Sequence, residues 1–290
     1  MTAALRCVGL GHRYDRRLWG LRDCDVEVPA GRVVALVGPN GSGKTTLMSM
    51  AAGLLPVTEG IVEVAGGAPA QRLDRIGFVA QDAPLWPRLR VADVLDIGRC
   101  MNRGFDAAMA AERIGRLGIR PRARISALSG GERAQVALTL VLAKRPELFL
   151  LDEPMANLDP LARREFLSSM FEACHEAGAT VVYSSHAVAE LERVCDYLIV
   201  LRTGRVRLTG DIDELRSQHR VISGPDGWLD GGGWLVISQR SMAGQTTALV
   251  RCDDAPRPGP GLQDAAPAFD ELVLGYLDAN AARLPEEVVA

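Results

Sequence analysis

The chain has 290 residues, enough for one large domain plus an appendage around a sizeable buried core. Its 33 basic and 36 acidic side chains nearly cancel to a net charge of -3, so no polycationic surface argues for nucleic acid. Six cysteines without CxxC pairing or flanking histidines give no zinc framework and suit reduced thiols.

The opening residues lack a basic region followed by an apolar stretch, so no secretory leader is expected. Leu5–Val8 and Cys24–Val28 read as short strands. Arg32–Val37 is apolar and β-branched, as a buried parallel strand requires, and a helix-compatible stretch follows from Thr45 to Leu54. Between them stands Gly38-Pro39-Asn40-Gly41-Ser42-Gly43-Lys44-Thr45-Thr46, a P-loop. Its glycines allow backbone N–H groups to turn onto phosphates, Lys44 reaches the terminal phosphates, and Thr45 holds magnesium. The helix that follows points its orphan N–H groups and positive dipole end at the same anion.

Ile61–Val64 and Ile76–Ala80 continue the β pattern, and from Val91 to Leu117 the sequence turns helical and rich in Ala and Arg. Leu128-Ser129-Gly130-Gly131-Glu132 forms a second N–H-rich helix start, in which Ser129 offers a hydroxyl and the glycines permit close approach. Strands are expected at Glu147–Asp152, Thr180–Ser184 and Tyr197–Leu201. The first of these ends in two carboxylates. Asp152 can reach magnesium through water, and Glu153 can orient an attacking water and take its proton. No apolar run approaches the ~18 residues needed to span a bilayer.

Past Ser217 the composition shifts to Gly- and Pro-rich segments around two strand candidates, Trp234–Gln239 and Thr246–Cys252. A last amphipathic stretch puts Phe269, Leu272, Val273, Tyr276 and Leu277 on one helical face.

Taken together, the P-loop, the Leu128–Glu132 signature and the Asp152-Glu153 pair make the chain resemble the nucleotide-binding subunit of an ATP-binding cassette transporter, over about residues 3 to 216. The resemblance implies an α/β fold of the P-loop NTPase cassette type. It has a mixed or parallel sheet core, an N-terminal antiparallel β part and a helical insert at about 88–145 within a 1–216 cassette; the composition shift past Ser217 sets 217–290 apart as an appendage of short strands and a terminal helix. It implies ATP and magnesium as ligands, with Thr45, Gln81 and Asp152 on the metal. Glu153, Gln81 and His186 take the catalytic positions, and Tyr14 stacks on adenine. Asp159 lies in the loop that crosses the dimer interface, and Ser129, Gly130, Gly131 and Glu132 close over the nucleotide of an opposite protomer. The implied partners are a second cassette, identical or not, and a separate transmembrane permease. The implied place is the cytoplasmic face of the inner membrane. In the loop after Gln81, Leu85 and Trp86 stand between two prolines as an anchor for that permease.

The signature ends in Glu132 where many members have Gln, and Met155-Ala156-Asn157 replaces a small Thr/Ser-rich turn. Ser184-Ser185-His186 with Glu190, Glu192, Cys195 and Asp196 resembles exporter-type cassettes for drugs and lipids more than importers. Two rival classes, a soluble mechanochemical cassette protein and a non-hydrolysing sensor, fit less well. The chain has a single P-loop and keeps both Glu153 and His186.

Overall fold

The computed structural model describes residues 3–81, 84–155, 160–185, 188–231, 234–252 and 261–278. The chain begins with β1 (Ala3–Arg13), β2 (Trp19–Pro29) and β3 (Val33–Val37), then α1 (Lys44–Ala51), β4 (Glu59–Val64) and β5 (Ile76–Val79). Three helices, α2 (Val91–Met101), α3 (Ala107–Arg116) and α4 (Gly130–Ala143), precede β6 (Leu148–Asp152), α5 (Pro160–Ala177) and β7 (Thr180–Ser184). After α6 (Val188–Leu191) come β8 (Tyr197–Arg202), β9 (Arg205–Asp211) and α7 (Ile212–Ser217). The chain continues through β10 (His219–Pro225), β11 (Leu235–Met242), β12 (Gln245–Arg251), β13 (Gln263–Ala265) and α8 (Phe269–Leu277). The chain divides into two compact units, residues 1–33 with 44–184 and residues 34–43 with 185–290.

In the first unit β2, β1 and β4 form an antiparallel sheet, and β5, β6 and β7 run parallel. Every residue of β6 and β7 is buried, so neither strand shows the in–out alternation of a one-sided sheet. Their register sets Asp152 beside Ser184. A slip of one residue would put Tyr183 there instead. The three helices α2 to α4 share a small core of Val91, Val94, Ile114, Ile119, Ile125, Leu128 and Val136.

In the second unit β3 pairs parallel with β8, and β8 pairs antiparallel with β9, which makes a mixed sheet. Neither β9 nor β10 stood among the expected strands. In β9, Arg205 and Arg207 alternate with the buried Val206 and Leu208, and this short alternation is diluted by the Gly210-Asp211 end. In β10 the polar ends hide a buried Ile222. The tail forms a four-stranded antiparallel sheet in the order β11-β12-β10-β13. The expected amphipathic helix is α8, with Phe269, Leu272, Val273 and Tyr276 buried on one face. Among the described residues no helix is long and apolar enough to cross a membrane. None of the six cysteines forms a disulfide among the described residues.

A buried histidine ties the tail together. His219 is fully buried, with Nδ1 2.7 Å from the Leu215 carbonyl and Nε2 2.8 Å from the Tyr276 hydroxyl. A carbonyl only accepts, so Nδ1 carries the proton and Nε2 accepts from Tyr276. Replacing Tyr276 with Phe leaves that nitrogen without its donor. It should lower stability by about 1–3 kcal/mol in urea unfolding.

Candidate active site

The glycine loop belongs to the second unit and is shaped by close approach. A Cβ on Gly38 would lie 2.3 Å from the Leu201 carbonyl oxygen and 2.4 Å from Ser42 Oγ, so only hydrogen fits. Gly41 and Gly43 take φ of +77° and +107°, conformations that L side chains resist. The turn is closed by Ser42 N–H donating to the Pro39 carbonyl at 3.1 Å. From the β8–β9 hairpin, Gly204 N–H donates to the Ser42 carbonyl at 3.0 Å. Ser42 is buried, and among the described residues its hydroxyl has no partner. A buried hydroxyl left so costs roughly 1–3 kcal/mol, which a bound phosphate oxygen would offset.

The loop runs directly into α1, which belongs to the first unit. Lys44 is 6% exposed, with Nζ 3.7 Å from Glu153 Oε1. Thr45 is exposed, a hard oxygen donor of the kind magnesium takes. Thr46 is buried, with Oγ1 2.9 Å from the Tyr14 hydroxyl. Tyr14 packs over Gly20, where an added Cβ would come within 2.6 Å of the tyrosine ring, and its edge meets His12 at 4.6 Å between centroids. At 54% exposure much of the ring is open for a planar group to stack on.

The carboxylates stand where β6 ends. Asp152 is 3% exposed and accepts from Ser184 Oγ at 2.8 Å, while the same oxygen accepts the backbone N–H of Glu153 at 2.9 Å. Glu153 has φ of +43°, a left-handed conformation that costs a non-glycine residue about 1–2 kcal/mol. The turn so held lets Asp152 and Glu153 act separately, the first against Ser184 and the second toward Lys44. Sequence reasoning missed Ser184. Its only signal was a hydroxyl ending an otherwise apolar strand.

The signature begins α4 as a capping box. Ser129 Oγ accepts from Glu132 N–H at 3.2 Å, and Glu132 Oε2 accepts from Ser129 N–H at 2.8 Å. The Ser129 backbone N–H, and then its hydroxyl, hold the Glu132 carboxyl below the ordinary range. The departure from Gln is therefore conservative, since either side chain can close the box. Among the described residues nothing bonds this box to Lys44, Asp152 or Glu153. Gln81 is exposed, two residues beyond β5. His186 and Asp159 lie outside the described residues, as do Ala156 and Asn157.

The ABC transporter family model matches residues 21–156. A second, described as an AAA domain, putative AbiEii toxin, Type IV TA system, matches residues 121–192, a span without the P-loop. The chain is 40% identical over 206 residues to the aliphatic sulfonates import ATP-binding protein SsuB 2 of Xanthomonas axonopodis pv. citri, covering 70% of this chain and 69% of that one. It is also 40% identical over 232 residues to the molybdenum import ATP-binding protein ModC of Mesorhizobium japonicum, covering 74% of this chain and 60% of that one. A solved structure of the ATP-binding subunit of an ABC transporter superposes with a TM-score of 0.65 at 27% identity, over 74% of this chain and 92% of that one. The exporter-branch expectation finds no support here, because both of these relatives carry import in their names. Of the stretch that prompted it, Ser184 bonds locally to Asp152 and Glu153.

Replacing Gly38 with Ala should raise the Kd for ATP by about tenfold or more, equivalent to ~1.4 kcal/mol, in a fluorescent-nucleotide titration. Replacing Tyr14 with Ala should weaken ATP and GTP alike, since stacking tolerates any base. Unchanged affinity would remove Tyr14 from the site.

Proposed function

The chain belongs to the ABC transporter family and is an ATPase, and from that premise we propose that it drives import through a permease carried on separate chains. The observation that carries the mechanism is the Lys44 ammonium 3.7 Å from Glu153, on the residue after an Asp152 pinned by Ser184. Lys44 contacts the β and γ phosphates of ATP by charge-assisted bonds. Glu153 orients the attacking water and accepts its proton, with its Oε1 3.7 Å from the Lys44 ammonium. Thr45, Asp152 and Gln81 would hold magnesium, which supplies neutralisation of the phosphate charge when bound. His186 meets the γ-phosphate, and Asp159 lies at the interface between two cassettes. Ser129, Gly130, Gly131 and Glu132 serve the nucleotide of the opposite cassette, so the working unit is a dimer with a like or unlike partner. In this reading residues 1–216 make the cassette and 217–290 an appendage on it.

Import is favoured over export by the relatives' names. Those relatives handle sulfonates and molybdenum, chemically unlike cargoes, so cargo choice belongs to the membrane chain. The protein then sits peripherally on the cytoplasmic face of the inner membrane. Its docking place is an apolar groove of about 1230 Å³ lined by Leu54, Leu73, Trp86, Ile97 and Met101. Trp86 and Met101 are 57% and 76% exposed, large apolar side chains that a short amphipathic helix would cover.

Replacing Glu153 with Gln should retain ATP binding and slow hydrolysis by about 100-fold or more. The protein so trapped should elute as a dimer with ATP and as a monomer without it. A monomer under both conditions at micromolar protein would count against the composite site. Replacing Trp86 with Ala should leave the ATPase rate of the isolated chain nearly intact while abolishing co-purification with the permease. Equal recovery of the permease with both proteins would refute the groove as its seat.

A further inference from the structure

The buried hydroxyl of Ser184 is the smallest group at the site and the most committed. Ser184 has no solvent exposure, and β7 holds it opposite Asp152 through the parallel register. A serine hydroxyl has one proton to give and lone pairs to receive with. Here the proton goes to Asp152 Oδ1 at 2.8 Å, and a lone pair takes the backbone N–H of Glu153 at 2.9 Å. One oxygen atom therefore fixes two consecutive residues with different tasks.

Glu153 adopts φ of +43°, and such a conformation persists only where the surroundings hold it. The N–H that Ser184 captures is Glu153's own, so the bond acts on the strained residue directly. It sets the direction in which the side chain leaves the turn, toward Lys44 Nζ at 3.7 Å. On Asp152 the same hydroxyl occupies Oδ1 and leaves Oδ2 to other ligands.

We propose that Ser184 is a positioning residue for hydrolysis, whose hydroxyl holds Glu153 at the angle required of the base and fixes which oxygen Asp152 presents. This rests on the reading of Glu153 as the base. Because the hydroxyl orders the groups that meet water and metal, and not those that meet the nucleotide, its loss separates turnover from nucleotide affinity. Ser184→Ala should lower kcat by about 10- to 100-fold, the scale of small misplacements of reacting groups. Its ATP affinity in EDTA should stay within about twofold of the parent.

The test compares Ser184→Ala, Ser184→Thr and Ser184→Val. Thr and Val have nearly the same shape and differ by the hydroxyl. Steady-state kinetics give kcat and KM, and equilibrium binding of a fluorescent ATP analogue is measured in EDTA and in magnesium. The expected result is low kcat for Ala and Val, recovery toward the parent rate for Thr, and an unchanged EDTA affinity throughout. A kcat for Ser184→Ala within twofold of the parent would overturn the inference, as would a Thr variant no faster than the Val variant. A fall in EDTA affinity parallel to kcat in Ser184→Ala would also overturn it. Glu153→Gln, measured alongside, separates the two readings. If it turns over at the parent rate, the base assignment falls and the inference with it. If it is inactive while Ser184→Ala is normal, the inference alone falls.

Discussion

A lysine ammonium at 6% exposure is the constraint around which the site is arranged. A buried charge of this kind is costly unless an opposite charge and hydrogen bonds meet it. Lys44 is carried there by the end of the glycine loop, and Glu153 Oε1 comes to 3.7 Å from it. Such a pair is poor evidence of added stability, since desolvation offsets much of its attraction. It makes better sense as a charge held ready for an anionic ligand, with Glu153 as its counter-ion.

The rest of each unit serves to fix these groups. In the first unit, buried parallel strands set Asp152 against Ser184, and the left-handed turn at Glu153 follows from that register. In the second, the β8–β9 hairpin buttresses the glycine loop through Leu201 and Gly204. The same hairpin is gripped from the tail, because Arg202 donates to the Asp278 carbonyl just past α8. The tail is thus bonded to the strand ends that shape the phosphate loop.

Much of this was legible in the sequence because each part is enforced locally. The P-loop glycines are demanded by positive φ and by the Leu201 carbonyl beside Gly38. β6 and β7 announce themselves as continuous apolar runs, and α8 by its 3.6-residue stripe. What escaped were features set by register and edge position. β9 and β10 carry polar residues that only pairing explains. Ser184 reads alone as the polar end of a strand, and only its alignment with Asp152 discloses its bonds.

The signature box at Ser129 and Glu132 is complete within itself, yet among the described residues it makes no bond to the Lys44 pair. An N–H-rich helix start of this kind becomes useful when a phosphate reaches it, and in the proposed dimer that phosphate is held by the opposite cassette, which for the isolated chain is a second copy. The most direct test is the ATPase rate per molecule of the isolated chain as its concentration is raised from nanomolar to tens of micromolar. A site shared between two copies should give a specific activity that climbs with concentration and then levels off as dimers form. A specific activity that stays constant over the whole range would mean that one copy hydrolyses ATP alone, and would contradict it.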